Sequence, residues 1–136
     1  MGRFPTAGHL ASWAGMCPGN NESAGKRKSG RTRPGSPWLR VALTEAAQAA
    51  GRTKNTCLAA QYHRLLARRG KKKAIVAVGH TILVIAYYLL TDGTTYRDLG
   101  GGYFDERDRA LLERRLVRRL EGLGYTVTLA TTDPAA

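Results

Sequence analysis

Apolar positions recur at intervals of three and four over several stretches of this chain, the period of a helix with one buried face. The first runs from Thr6, a residue type that caps helix starts, to about Gly15, with Leu10, Trp13 and Ala14 on one side. Met16-Cys17-Pro18-Gly19 stops it. A second starts at Pro37, where a missing N–H costs nothing, and repeats Leu39, Ala42, Leu43, Ala46, Ala47 and Ala50 before Gly51. Its many alanines predict close helix–helix contact, because small side chains let axes approach. A third opens at Asn55 or Thr56 and runs to about Arg69, with Leu58, Tyr62, Leu65 and Leu66 inward. Arg64, Arg68 and Arg69 crowd its end, where cations complement the helix dipole.

The run Ala74–Leu90 is apolar on all sides apart from Gly79, His80 and Thr81, and it follows Lys71-Lys72-Lys73. A membrane span needs about 20 predominantly apolar residues, so a buried helix over about 72–91 at the centre of a small bundle is the better reading. Asp92-Gly93 ends it, and Thr94–Gly102 reads as a loop. A last helix over about 105–122 has Asp105, Glu106 and Asp108 in its first turn and Arg118-Arg119 near its end, with Leu112, Leu116 and Leu120 every four residues. Tyr125–Leu129 alternates as a short strand does, without an obvious partner strand. The fold class expected is mainly α: a compact helical domain of about five helices, an exposed basic loop and a short C-terminal strand.

Charge changes this picture. With 136 residues and 43% hydrophobic content there is room for one cored domain, and the net charge is +12. Residues 1–91 hold fifteen Lys/Arg against Glu22 and Glu45, giving +13, whereas residues 92–136 hold seven against eight acids, giving −1. A solvated surface mixes the signs, as the last third does; the first two thirds call for an anionic polymer. The charge concentrates in Pro18–Arg40, where Lys26, Arg27, Lys28, Arg31, Arg33 and Arg40 follow Glu22 with no further acid. Its glycines and prolines predict a flexible loop, and its cations suit a phosphate backbone.

Ser23 sits at the mouth of this loop. A serine hydroxyl attacks a phosphodiester only with help from a base, a metal or a strong local field, and the six basic residues downstream supply the field. The plain alternative is a loop hydroxyl, and composition alone does not rank Ser23 above Ser29 or Ser36. His80 is expected to be a hydrogen-bonded core histidine, and Tyr87 and Tyr88 core-edge aromatics. Trp13 and Trp38 flank the basic loop and are expected in the core, with base stacking as the alternative. Asp105, Glu106 and Asp108 are explained by their helical first turn without a metal. Cys17 and Cys57 have no metal-ligand spacing and read as reduced thiols; the N-terminus lacks a signal peptide's apolar core.

Three motifs succeed one another in a specific order: Gly15-Met16-Cys17-Pro18, then Glu22-Ser23-Ala24-Gly25-Lys26, then Gly35-Ser36-Pro37-Trp38-Leu39-Arg40. With the later RRGKKKAIVAVGHTILVIAYYLLTDGTTYRDLGGGYF, they resemble the C-terminal transposase domain of a bacterial insertion-sequence family, the IS-one-ten and IS-one-sixteen type. The resemblance covers roughly residues 4–104 and leaves 105–136 as a C-terminal helix and tail. It implies a DNA recombinase guided by a structured RNA and working as a homo-oligomer. Ser23 would be the nucleophile, and Lys26, Arg27, Lys28, Arg31, Arg33 and Arg40 would contact DNA or guide RNA.

In that family a RuvC-like domain ahead of this one supplies the acids for Mg²⁺, whereas this chain starts where the C-terminal domain starts. The expectation is therefore a truncated copy, with little activity alone and no cofactor of its own. A non-catalytic nucleic-acid-binding module is the alternative. The expected location is the bacterial cytoplasm, at the nucleoid, without a membrane partner.

Overall fold

Three of the predicted helix starts are closed by a side-chain cap: Thr6 accepts from the His9 N–H, Ser36 from Leu39 and Thr56 from Ala59. The computed structural model describes residues 2–19 and 21–130, apart from the side chain of Arg27. In chain order the elements are α1 (Ala7–Trp13), β1 (Asn21–Ser23), β2 (Lys26–Ser29), α2 (Pro37–Arg52), α3 (Cys57–Arg69), α4 (Lys71–Asp92), α5 (Tyr103–Arg107) and α6 (Arg109–Glu121). Two compact units result, one ending at Gly102 and the other beginning at Tyr103. The fold is mainly α, as the periodicity predicts, with six helices among the described residues instead of five.

In the first unit α4 is the central helix, packed against α1, α2 and α3. It is long and apolar enough to cross a membrane by length and composition alone, but the bundle takes up its core-facing side. Ala74, Ile75, Val78, Gly79, Leu83 and Tyr87 are buried there. Ala11, Ala14, Ala47 and Ala74 are wholly inaccessible, which is the close approach the alanine-rich sequence predicts. Met16 is driven into the same core at 1% exposure. It lies over Gly79, where a Cβ would come within 2.7 Å of the Met16 Cε and 3.2 Å of the Leu43 carbonyl oxygen. Each large side chain buried in this core contributes about 1.5–3 kcal/mol. The Tyr87 hydroxyl donates to the Phe4 carbonyl at 2.9 Å and ties the chain's start to α4.

The loop from Thr94 to Gly102 is fastened to α3 by one carboxylate. Asp98 accepts from the Cys57 N–H at 3.1 Å, from the Gly100 N–H at 2.7 Å and from the Tyr96 hydroxyl at 2.8 Å. The Tyr96 bond, assisted by the two N–H groups, holds Asp98 below its ordinary carboxylate range. Desolvation, followed by the bond and charge of Asp98, pushes Tyr96 up to about 12. A carboxylate with a depressed folded pKa stabilises above its unfolded value and loses that contribution as pH falls through the folded one. Amide protection at Cys57 and Gly100 is therefore expected to hold at pH 6 and to fall away below about pH 4. Asp98→Ala should remove the protection and its pH dependence together; protection that survives in the variant would show the loop is held by something else.

The second unit departs from the predicted single helix. Asp108, at φ −107° and ψ 26°, breaks the segment into α5 and α6, with its carboxylate 3.2 Å from the Arg107 Nε. Within α6, Arg109 pairs with Glu113 at 2.9 Å, four residues on. Leu116 and Leu120 remain exposed and Leu112 half-buried, so the leucine repeat covers no core of its own unit. Tyr125–Leu129 forms no strand, because no second strand lies beside it among the described residues.

Candidate nucleic-acid interface

The basic segment is not the irregular loop its composition suggests. Its first half pairs as an antiparallel hairpin, with Ser23 opposite Lys26, Glu22 opposite Arg27 and Asn21 opposite Ser29 across a bulge. Ala24 at φ 51° and Gly25 at φ 72° make the two-residue turn, both in the left-handed region that a tight hairpin requires. Gly25 adopts this freely, but Ala24 carries a Cβ and costs about 1–2 kcal/mol there. Ala24→Asn is expected to stabilise the hairpin by up to about 1 kcal/mol, since asparagine tolerates this conformation. Sharper cross-strand contacts between residues 23 and 26 in NMR spectra would report it, and weaker ones would contradict the turn.

Behind the hairpin the segment is pinned to the helical bundle. Pro18 bridges Thr32, and the Gly19 N–H donates to the Arg31 carbonyl at 2.9 Å. Gly15, at φ +68°, lies against Arg33 and Gly35, so the end of α1 and the approach to α2 cross backbone to backbone. Arg40 reaches back to donate from Nη2 to the Thr32 Oγ1 at 2.9 Å.

These crossings build an open cleft of about 980 Å³ whose lining includes Asn21, Ser29, Arg31, Thr32, Arg33 and Arg40. Of the predicted cations, Arg31, Arg33 and Arg40 meet here, whereas Lys26 and Lys28 stand exposed on β2 outside the lining. The side chain of Arg27 lies outside the described residues. Ser23 is exposed at the hairpin tip, two residues from Asn21 at the cleft edge, or about 7 Å along the strand.

The structure separates the three serines. The Ser29 Oγ accepts from the Arg31 N–H at 3.2 Å and the Ser36 Oγ from the Leu39 N–H at 3.5 Å, so both are committed to backbone. The Ser23 Oγ has no hydrogen-bond partner among the described residues. Two ion pairs, Arg107 with Asp108 and Arg109 with Glu113, lie in the second unit. No carboxylate lines the cleft among the described residues.

A second open cleft, of about 950 Å³, shares Arg31 and Thr32 with the first and extends to Arg69, Lys72 and Lys73. The Arg-Arg-Gly-Lys-Lys-Lys run signals its charge, but only packing reveals the concavity and its polar residues Gln61 and Thr81. His80 lines it too, half-buried, with Nδ1 at 4.0 Å from the Cys17 Sγ. Core placement fails for the tryptophans: Trp13 is 54% exposed against the Phe4 ring and Trp38 is 85% exposed. Of the two tyrosines expected at the core's edge, Tyr87 is buried and Tyr88 is 53% exposed, its ring 5.5 Å from that of Tyr87. No three His, Cys, Asp or Glu side chains gather among the described residues.

Residues 1–63 match the family model described as Transposase IS116/IS110/IS902 family. A Sinorhizobium fredii (strain NBRC 101917 / NGR234) protein named as a transposase, y4pF/y4sB, is 31% identical over 105 residues. That similarity covers 72% of this chain and 27% of the relative, so the chain spans about a quarter of its length. No solved structure matches the chain.

Proposed function

Since this chain carries a transposase domain of the IS116/IS110/IS902 family, we propose that it serves in DNA transposition, with Ser23 as the nucleophile toward a DNA phosphodiester. One observation carries the reading. Among the described residues, a serine hydroxyl without an internal partner stands on a tight turn beside a cleft lined by Arg31, Arg33 and Arg40 and by no acid. In the proposed step the Ser23 Oγ forms a bond to phosphorus and loses its proton to solvent or a base on a companion domain. The P–O bond to one deoxyribose breaks, and the departing oxygen takes up a proton to become a free hydroxyl end. The chain is left joined to DNA through a phosphoserine ester.

The guanidinium groups spread the added charge of the pentavalent phosphate. Mg²⁺ chemistry belongs, on this reading, to acidic residues outside this chain. Guide RNA competes for the same cations, since its backbone offers the same phosphates. Trp38, open to solvent two residues from Arg40, offers a stacking face for a base. Assembly into a homo-oligomer is part of the same proposal.

Binding tests this reading directly. A labelled 20-base-pair duplex should bind with an affinity that falls steeply with salt, each phosphate contact adding about 0.9 to the log–log slope. Lys28→Ala/Arg33→Ala removes two exposed cations and should lower that slope by about 2. An unchanged slope would remove the hairpin and its cleft from the interface.

A further inference from the structure

The two clefts meet at Arg31 and Thr32 but differ in chemistry. Apart from Gly19 and Pro34 the first is lined by Asn, Ser, Thr and Arg, with no large apolar side chain among the described residues, a surface suited to phosphates. The second has an apolar floor that includes Met16, Leu65, Val76 and Ala77. Gln61, Thr81 and His80 line it as well, together with the cations Arg31, Arg69, Lys72 and Lys73. An apolar floor is wasted on a phosphate. It matches a flat, weakly polar ring that has left its stack. We infer that this second cleft receives an unpaired nucleotide, its base on the apolar floor and its flanking phosphates on Arg31, Arg69, Lys72 and Lys73.

The polar groups suit a base edge. The Gln61 Nε2 donates to the Thr81 Oγ1 at 2.9 Å, and the Thr81 hydroxyl donates to the Ala77 carbonyl at 3.1 Å. This chain fixes the amide while leaving its carbonyl oxygen and second N–H without a partner among the described residues. An amide with one acceptor and one donor open is the side chain best matched to an adenine edge. His80 spends Nδ1 on Cys17 and keeps Nε2. At about 950 Å³ the cleft falls within the roughly 300–1,000 Å³ range of small-ligand sites, ample for one nucleotide. Among the described residues no carboxylate lines it to oppose the phosphates.

The inference rests on the nucleic-acid reading above and commits it to a single-stranded stretch, whether of RNA or of a displaced DNA strand. Fluorescence anisotropy with the full chain tests it, using labelled 12-nucleotide adenine strands of DNA and of RNA, and a DNA strand whose bases are replaced by abasic sites. The intact DNA strand should bind about tenfold more tightly than the abasic one. Gln61→Met should erase most of that preference. Lys72→Ala/Lys73→Ala should weaken both strands and lower the salt slope by about 1.4 while keeping the preference. Circular dichroism melting checks that each variant is folded. Tighter binding of the RNA strand assigns the nucleotide to RNA; equal or tighter binding of the DNA strand assigns it to displaced DNA.

Equal affinity for intact and abasic strands, or indifference to Lys72→Ala/Lys73→Ala, overturns the cleft assignment. The hairpin reading then still stands if Lys28→Ala/Arg33→Ala lowers the duplex salt slope. If no strand and no duplex binds, both fall.

Discussion

A Gly35→Ala variant is expected to melt roughly 12–24 °C below the parent chain, the equivalent of at least about 3 kcal/mol in a unit of this size. The reason is a backbone crossing. A Cβ at position 35 would overlap the carbonyl carbon and oxygen of Ala14 and the nitrogen of Gly15. All three are main-chain atoms at the end of α1, so no side chain can swing away. From the other side, a Cβ on Gly15 would meet the Arg33 oxygen at 2.7 Å and the Gly35 nitrogen at 2.8 Å, and φ there is +68°. Two glycines therefore let the end of α1 pass the entry to α2.

Separating the two strands would draw Ala14 and Met16 out of the core, where they are 0% and 1% exposed. Overpacking inside a well-filled core usually costs 1–3 kcal/mol, and overlap with main chain falls at or above the top of that range. Gly8→Ala is the matched control. It adds a methyl in the first turn of α1 with only the Thr6 Oγ1 near, at 3.6 Å, and should be neutral or stabilising by up to about 1 kcal/mol. A Gly35→Ala midpoint within a few degrees of the parent would mean the crossing is looser than described. The same crossing positions Arg33 and Thr32, so the variant should also lose duplex affinity at temperatures where it remains folded.

The helices were legible because their ends carry chemistry. Thr6, Ser36-Pro37 and Thr56 announce starts, and Gly93 in the left-handed region announces a stop. The hairpin was not legible. Asn21–Ser23 and Lys26–Ser29 have no apolar alternation, and Ala24-Gly25 lacks the asparagine or aspartate that usually marks such a turn. The pairing is imposed by the pinned ends, Pro18 against Thr32 and Gly19 against Arg31, which are long-range contacts. The break at Asp108 has no signal in the sequence, because neither glycine nor proline marks it. Trp38 was misplaced for a different reason: aromatic residues are usually buried, but in the first turn of α2 this ring faces solvent while Leu39 packs on the core. The charge of the interface was plain in the sequence, but its division into two clefts of different chemistry required the fold.

In a transposase that joins this chain to an acidic metal-binding domain, Ser23→Ala is expected to abolish strand transfer, on the order of 10⁴-fold or more. Loss of a covalent nucleophile removes the bond-forming atom itself, and neighbouring charges cannot replace it. The substitution sits at an exposed hairpin tip and deletes one oxygen with no internal partner among the described residues. Folding should therefore be untouched, and duplex affinity should stay within about twofold because the cations remain. Ser36→Ala gives the contrast. It removes the α2 cap, costs about 1 kcal/mol of stability and should leave the rate of strand transfer within a few-fold.

A nicked substrate that traps the intermediate makes the assignment direct. The parent should become covalently joined to DNA through residue 23, and the alanine variant should not. If Ser23→Ala retains strand transfer, the hydroxyl is a loop group after all. The two clefts then belong to a domain that only holds nucleic acid, and the same duplex and single-strand measurements still define what it holds.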